Sequence, residues 1–211
     1  ERPDVTLLDD CTWIDEWGVK YRQRPIDSLA WYVSGTLSTE EVATFTPPDP
    51  YAEGRMDSVT AMVRRVGGEM AVFGAGLALL ASYLARGIVG LTLDFYRAPY
   101  VAKNWIMKIA DYHIELGKQI VDCGVDALLI SGDDAEKGGP LFSPGIYREF
   151  YYPQYKRMVE AFHAKGMMVV KHTDGNTYRI LDDMVRAGFD GYHAIEPIVG
   201  MDIGVVKEKY G

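Results

Sequence analysis

From about residue 67 onward the hydrophobic pattern repeats one unit: an amphipathic helical stretch, a glycine, then a short run of β-branched or aliphatic residues. The clearest cases are "CGVDALLISG" (Cys123 to Gly132), "KGMMVVKH" (Lys165 to His172) and "AGFDGYHAIEP" (Ala187 to Pro197). In each, Gly124, Gly166 or Gly188 stands where a helix needs a left-handed residue after its last turn. The apolar run behind it has the length of a strand buried on both faces. The intervening stretches predict helices over Ala98 to Asp122, Pro144 to Ala164 and Tyr178 to Arg186, with Ser143 as N-cap and Pro144 at the first helical position. Strands alternating with such helices imply an α/β fold with a parallel sheet and right-handed crossovers.

The first 50 residues follow another rhythm. "CTWIDEWGVKYRQ" and "LAWYVSG" alternate apolar and polar side chains as a hairpin or lid would, and "STEE" (Ser38 to Glu41) is a capping box opening a short helix. "TPPDP" (Thr46 to Pro50) breaks any regular element. Residues 1 to 50 therefore read as an elaboration of the same domain, because so short a piece buries little core alone. Residues 51 to 211 form its α/β body. "AVFGAGLALLASYLARGIVGLTL" (Ala71 to Leu93) is the longest nearly apolar stretch, yet its glycines and Arg86 make it strand, turn and buried helix, not a membrane span. The start at "ERPDVT" and the end at "KEKYG" suggest a fragment.

Composition narrows the function classes. The chain has 211 residues, 48% hydrophobic and 25% charged, a formal charge of -8 and no basic cluster, so neither a nucleic acid nor a membrane is an expected partner. Cys11 and Cys123 stand far apart, which offers neither a disulfide framework nor a thiolate zinc knuckle and leaves the cytoplasm as the default compartment.

Polar residues gather at the predicted strand ends, where parallel α/β folds place their reactive groups. Asp133 and Asp134 follow "DALLISG", His172 and Asp174 follow "MMVVK", and Glu196 follows "GYHAI". His172 and Asp174 are two apart on an extended segment and so point the same way. With Asp134 and Glu196 from neighbouring strands they suit zinc or another divalent metal, or they supply general acid–base chemistry without one. Asp133 and Asn176 are candidates for the substrate pocket, Gly175 lets the chain turn, and Asn176 can cap the next helix. Each residue taken singly also fits a structural role, Asp174 as an Asx-turn acceptor and His172 as a core histidine. His113, His163 and His193 carry weaker signals, the first two in helices and His193 mid-strand.

The block from "GDDAEKGGPLFSPGIYREF" through "KHTDGN" and "EPIVGMDIGVVKEKYG" resembles the uroporphyrinogen decarboxylase superfamily, particularly its corrinoid-dependent methyltransferase branch. The resemblance covers most of residues 69 to 211, and "DEWGVKY" (Asp15 to Tyr21) is similar to a tryptophan-glycine turn of many members. It implies a (β/α)8 TIM barrel, here incomplete and cut short at its C-terminus, with the active site at the strand ends. It also places Tyr83, in "AGLALLASYLARG", at the position of a catalytic-pocket tyrosine of the decarboxylases. In the methyltransferase branch a zinc commonly sits on a His-x-Cys pair and a later cysteine. Here His172 matches the histidine while Asp174 replaces the cysteine.

The resemblance thus implies a methyltransferase or demethylase acting on a small methylated substrate, with methylcobalamin carried by a partner corrinoid protein. His172, Asp174 and Glu196 are its expected metal ligands, and His172, Glu196, Asp134 and Tyr83 its catalytic residues. The alternatives are uroporphyrinogen decarboxylation, needing no cofactor, and a non-catalytic barrel that binds a tetrapyrrole or corrinoid. A homodimer is an assembly it allows.

Overall fold

The computed structural model describes residues 5–24 and 30–211. Residues 1 to 4 of "ERPDVT" and Leu29 of "LAWYVSG" lie outside the described residues. Strands and helices follow in the order β1 (Thr6–Asp9), β2 (Thr12–Ile14), β3 (Val19–Gln23), β4 (Ala30–Gly35), α1 (Thr39–Thr44), α2 (Asp57–Val66), β5 (Phe73–Leu77), α3 (Ala81–Arg86), α4 (Ile88–Arg97) and α5 (Pro99–Asp122). Then come β6 (Ala127–Ile130), a small antiparallel hairpin of β7 (Ala135–Glu136) and β8 (Gly139–Pro140), α6 (Pro144–Ile146) and α7 (Tyr152–His163), joined by a π-helical stretch at Tyr147–Tyr151. β9 (Met168–His172), α8 (Leu181–Ala187), β10 (Gly191–His193), a 3-10 turn at Pro197–Val199 and α9 (Ile203–Tyr210) complete the described elements.

The chain divides into two compact units, residues 1–48 with 80–109, and residues 49–79 with 110–211. In the first, β1 to β4 form an antiparallel sheet in sequential order, the hairpin expected from the alternating pattern extended to four strands. Trp13 and Tyr21 are cross-strand partners and stack at 6.0 Å between ring centroids. Ser38 and Glu41 close the capping box of α1, each accepting the other's backbone N–H. Gly35 packs so tightly on α3 that a Cβ there would lie 2.2 Å from the Ala85 carbonyl oxygen. Arg86 donates to the buried Asp94 carboxylate at 2.8 Å and so ties α3 to α4.

The second unit holds a four-stranded parallel sheet ordered β5, β6, β9, β10, each strand pairing with its sequence neighbour and helices running between them. Such sequential order, without a switch in strand direction or position, is the local topology of a closed α/β barrel. Gly124, Gly166 and Gly188 adopt φ of 91°, 75° and 96°, the left-handed conformations foreseen behind each helix. Ser143 accepts the Ile146 N–H as an N-cap. Two elements depart from expectation. The helix expected from Tyr178 begins only at Leu181 because Asn176 accepts the Tyr178 N–H in an Asx turn and so caps a turn, not the helix. β10 is only three residues long, so His193 is the last residue of its strand and does not lie inside it.

Candidate metal centre

The carboxyl ends of β6, β9 and β10 lie side by side, and the loops leaving them carry the candidate residues. Strand alternation decides where each side chain goes. On β9, Val169 and Lys171 are buried, while Val170 and His172 are half-buried on the opposite face.

On the face of His172, and among the described residues, Asp133, His172 and Asp174 each offer one donor atom within 4.8 Å of the others. His172 Nε2 lies 4.0 Å from Asp174 Oδ1, which confirms that residues two apart on this segment converge. The Asp174 N–H donates to Asp133 Oδ1 at 2.9 Å, so the two acidic loops are joined through backbone and side chain. One nitrogen and two oxygens suit zinc or a similar divalent ion, whose bonds of about 2.0–2.2 Å need the donors about an ångström closer together. Side-chain rotation supplies that movement, since the Asp174 side chain is 55% exposed. The donor set therefore fits the metal that the sequence implied.

Glu196 has a different place from the one expected of a ligand. Its carboxylate accepts the Gly175 N–H at 2.6 Å and so fixes the turn directly behind Asp174. Asp133, expected only in the substrate pocket, is the third member of the group with His172 and Asp174. Gly175 itself has φ of 88°, and a Cβ there would lie 2.6 Å from the backbone of Ala135 and Glu136, so the hairpin crowds the turn and only glycine fits. Asn176, the other pocket candidate, donates to the Val199 carbonyl at 3.0 Å, which ties this turn to the loop after β10.

Asp134 also turns away from the group. It lies on the helical side of the sheet, where Lys171 Nζ stands 3.1 Å from its Oδ2 in an ion contact and the Tyr155 hydroxyl donates to its Oδ1 at 2.8 Å. Lys171 is wholly buried and was not singled out in the sequence, although a lysine inside the apolar run "MMVVKH" was the available signal. Its ammonium also donates to the Gly132 carbonyl at 2.7 Å and the His172 carbonyl at 2.8 Å, and lies 5.1 Å above the Tyr155 ring centroid. It thereby staples the end of β6, just before Asp133, to the end of β9 at His172.

Burial pushes the Asp134 carboxyl up and the Lys171 ammonium down, and their mutual attraction opposes both shifts. Burial, followed by the charge of Asp134, holds the Tyr155 phenol protonated well beyond its ordinary range. A cavity of about 360 Å³ lined by Lys171, Leu181, Phe189, Tyr192, Val206 and Tyr210 opens on this helical side, with none of the three donor residues in its lining.

His193 stands beside the group. Its Nδ1 is 2.8 Å from His172 Nδ1, and its carbonyl accepts the Thr173 N–H at 2.8 Å. His163 instead bonds Asp190 at 2.8 Å, and His113 is buried inside α5. Tyr83 lies half-buried on α3 in the first unit. Cys11 and Cys123 are free thiols. No described helix is long and apolar enough to cross a membrane.

Comparison with known proteins agrees with this architecture. The chain matches the family described as Uroporphyrinogen decarboxylase (URO-D) over residues 18–204. No curated protein matches it. Among solved structures, a methyltransferase from Methanosarcina mazei has the same fold at a TM-score of 0.73, with 17% sequence identity over 87% of this chain. The chain spans 54% of the length of that structure.

Proposed function

Because the chain belongs to the uroporphyrinogen decarboxylase family, we propose that it is part of an enzyme that moves a methyl group between a small methylated substrate and a corrinoid on a partner protein. The convergence of Asp133, His172 and Asp174 at one sheet edge carries this reading. The fold shared with a methyltransferase and the sequential parallel strands support a (β/α)8 barrel around that edge. A divalent ion held by these three residues would supply Lewis-acid polarisation, and oxygen ligands leave it a stronger acid than thiolates do, which suits an ether or alcohol oxygen as leaving group.

The chain's own residues have separate tasks. Asp133 and Asp174 bring negative charge to the group, and their shared backbone hydrogen bond keeps the two loops in step. Glu196, fixed one residue from Asp174 by the Gly175 N–H, would give a proton to the departing oxygen. Asp134 acts from behind as a positioning residue, through Lys171 and the two carbonyls that Lys171 holds.

The test uses purified full-length protein. Elemental analysis should find about one equivalent of a divalent metal, lost in His172→Ala. Cob(I)alamin offered with a panel of methoxylated compounds should be methylated, read from its absorbance. Metal-free protein that decarboxylates uroporphyrinogen would overturn the proposal.

A further inference from the structure

The His172–His193 contact serves no purpose assigned so far. Two imidazole nitrogens 2.8 Å apart are in hydrogen-bond contact, so a single hydrogen lies between them, on one Nδ1 or the other. If His193 donates it, neutral His172 carries its own hydrogen on Nε2, the atom that faces Asp174 Oδ1 at 4.0 Å. That nitrogen then has no lone pair to offer. If His172 donates, its Nε2 is bare and directed at the Asp174 carboxylate. The nitrogen of a histidine that can ligate is thus set by the bond its other nitrogen makes.

We propose that His193 is a positioning residue that accepts the Nδ1–H of His172 and so reserves His172 Nε2 for a cation shared with Asp133 and Asp174; this rests on the reading of those three residues as a metal group. The fold builds the acceptor into the sheet. His193 and His172 are register partners on neighbouring parallel strands, so their side chains leave the same face. The His193 carbonyl holds the Thr173 N–H at 2.8 Å, which fixes the end of β10 against the residue after His172. The two rings lie 5.0 Å apart between centroids, inclined at 35°, so the pair is clamped by both backbone and side chain. As a histidine expected in the middle of a strand, His193 carries only a weak signal in the sequence, whereas in the structure it is the last residue of β10.

Zinc titration of the full-length protein with a competing chelator, and ¹⁵N spectra of its histidines, test the idea. His193→Leu should weaken zinc binding about 10- to 100-fold, the usual effect of losing a partner of a metal-bound histidine. His193→Asn puts an amide oxygen near the lost Nδ1 and should restore affinity to within about threefold of wild type, because the acceptor is what matters. In the zinc-loaded wild type, His172 should ligate through Nε2 and show a nitrogen–nitrogen coupling from its Nδ1–H to His193 Nδ1. Equal affinities for wild type and His193→Leu, or ligation through His172 Nδ1, would overturn this inference while leaving the metal group standing. Zinc binding indifferent to His172→Ala would overturn both. His193 is exposed, so the Leu variant should unfold at the wild-type midpoint, and a lowered affinity then reports on the ring and not on folding.

Discussion

Removing the Lys171 ammonium should strongly destabilise the second unit. In Lys171→Met the Asp134 carboxylate stays buried and keeps only the Tyr155 hydroxyl as a side-chain donor, while the Gly132 and His172 carbonyls lose theirs. An uncompensated buried charge destabilises by about 3–5 kcal/mol. Asp134→Asn should be milder, about 1.5–3 kcal/mol, because Lys171 keeps two carbonyl acceptors and loses one charge-assisted contact. The double variant removes both charges at similar volume, and buried pairs replaced in this way are often neutral or better. It should therefore recover about half of the summed single losses, giving a coupling energy of about 2–4 kcal/mol in a double-mutant cycle. Urea unfolding of the four proteins at pH 7 measures this. Zinc affinity should fall in Lys171→Met as well, because the staple between the ends carrying Asp133 and His172 is gone. Strict additivity of the two single losses, or a Lys171→Met loss below about 1 kcal/mol, would refute the account.

Acid should weaken the fold through His113, whose burial lowers its pKa from 6.5 to about 3. Because the folded value is the lower one, its contribution is complete above about pH 6.5 and declines by roughly 1.4 kcal/mol per pH unit below it, until the folded chain also takes up the proton near pH 3. Unfolding free energies at pH 7, 6 and 5 should show that slope, and a His113→Leu variant with an unchanged slope would contradict it. Gly175→Ala should destabilise by about 1–3 kcal/mol, since φ there is 88° and the new methyl would meet the Ala135 and Glu136 backbone at 2.6 Å. A thermal midpoint equal to wild type would show that the hairpin yields.

Local chemistry made much of the architecture readable in advance. Gly124, Gly166 and Gly188 announced the ends of helices, Ser38 with Glu41 announced the start of one, and the polar residues after each apolar run marked the reactive edge. Direction was harder. Asp133 and Asp134 are neighbours of one chemical type, and which of them faces the metal group depends on the phase of the pleat after β6, which composition does not record. Lys171 was hidden by the habit that lysines are exposed, a habit broken here because three acceptors and an aromatic ring surround its ammonium. The late start of α8 followed from an Asx turn at Asn176 competing with the helix, and "GNTYRIL" alone does not decide that competition.

β9 presents an ammonium and an imidazole back to back, at consecutive positions with opposite destinations. Length within Met168–Lys171 is consequently locked: deleting or inserting one amino acid there would swap the two, sending the cation to the mouth and the ring into the hydrocarbon layer. An engineer lengthening this protein should avoid that strand altogether and look instead to exposed turns, where an extra residue changes no parity.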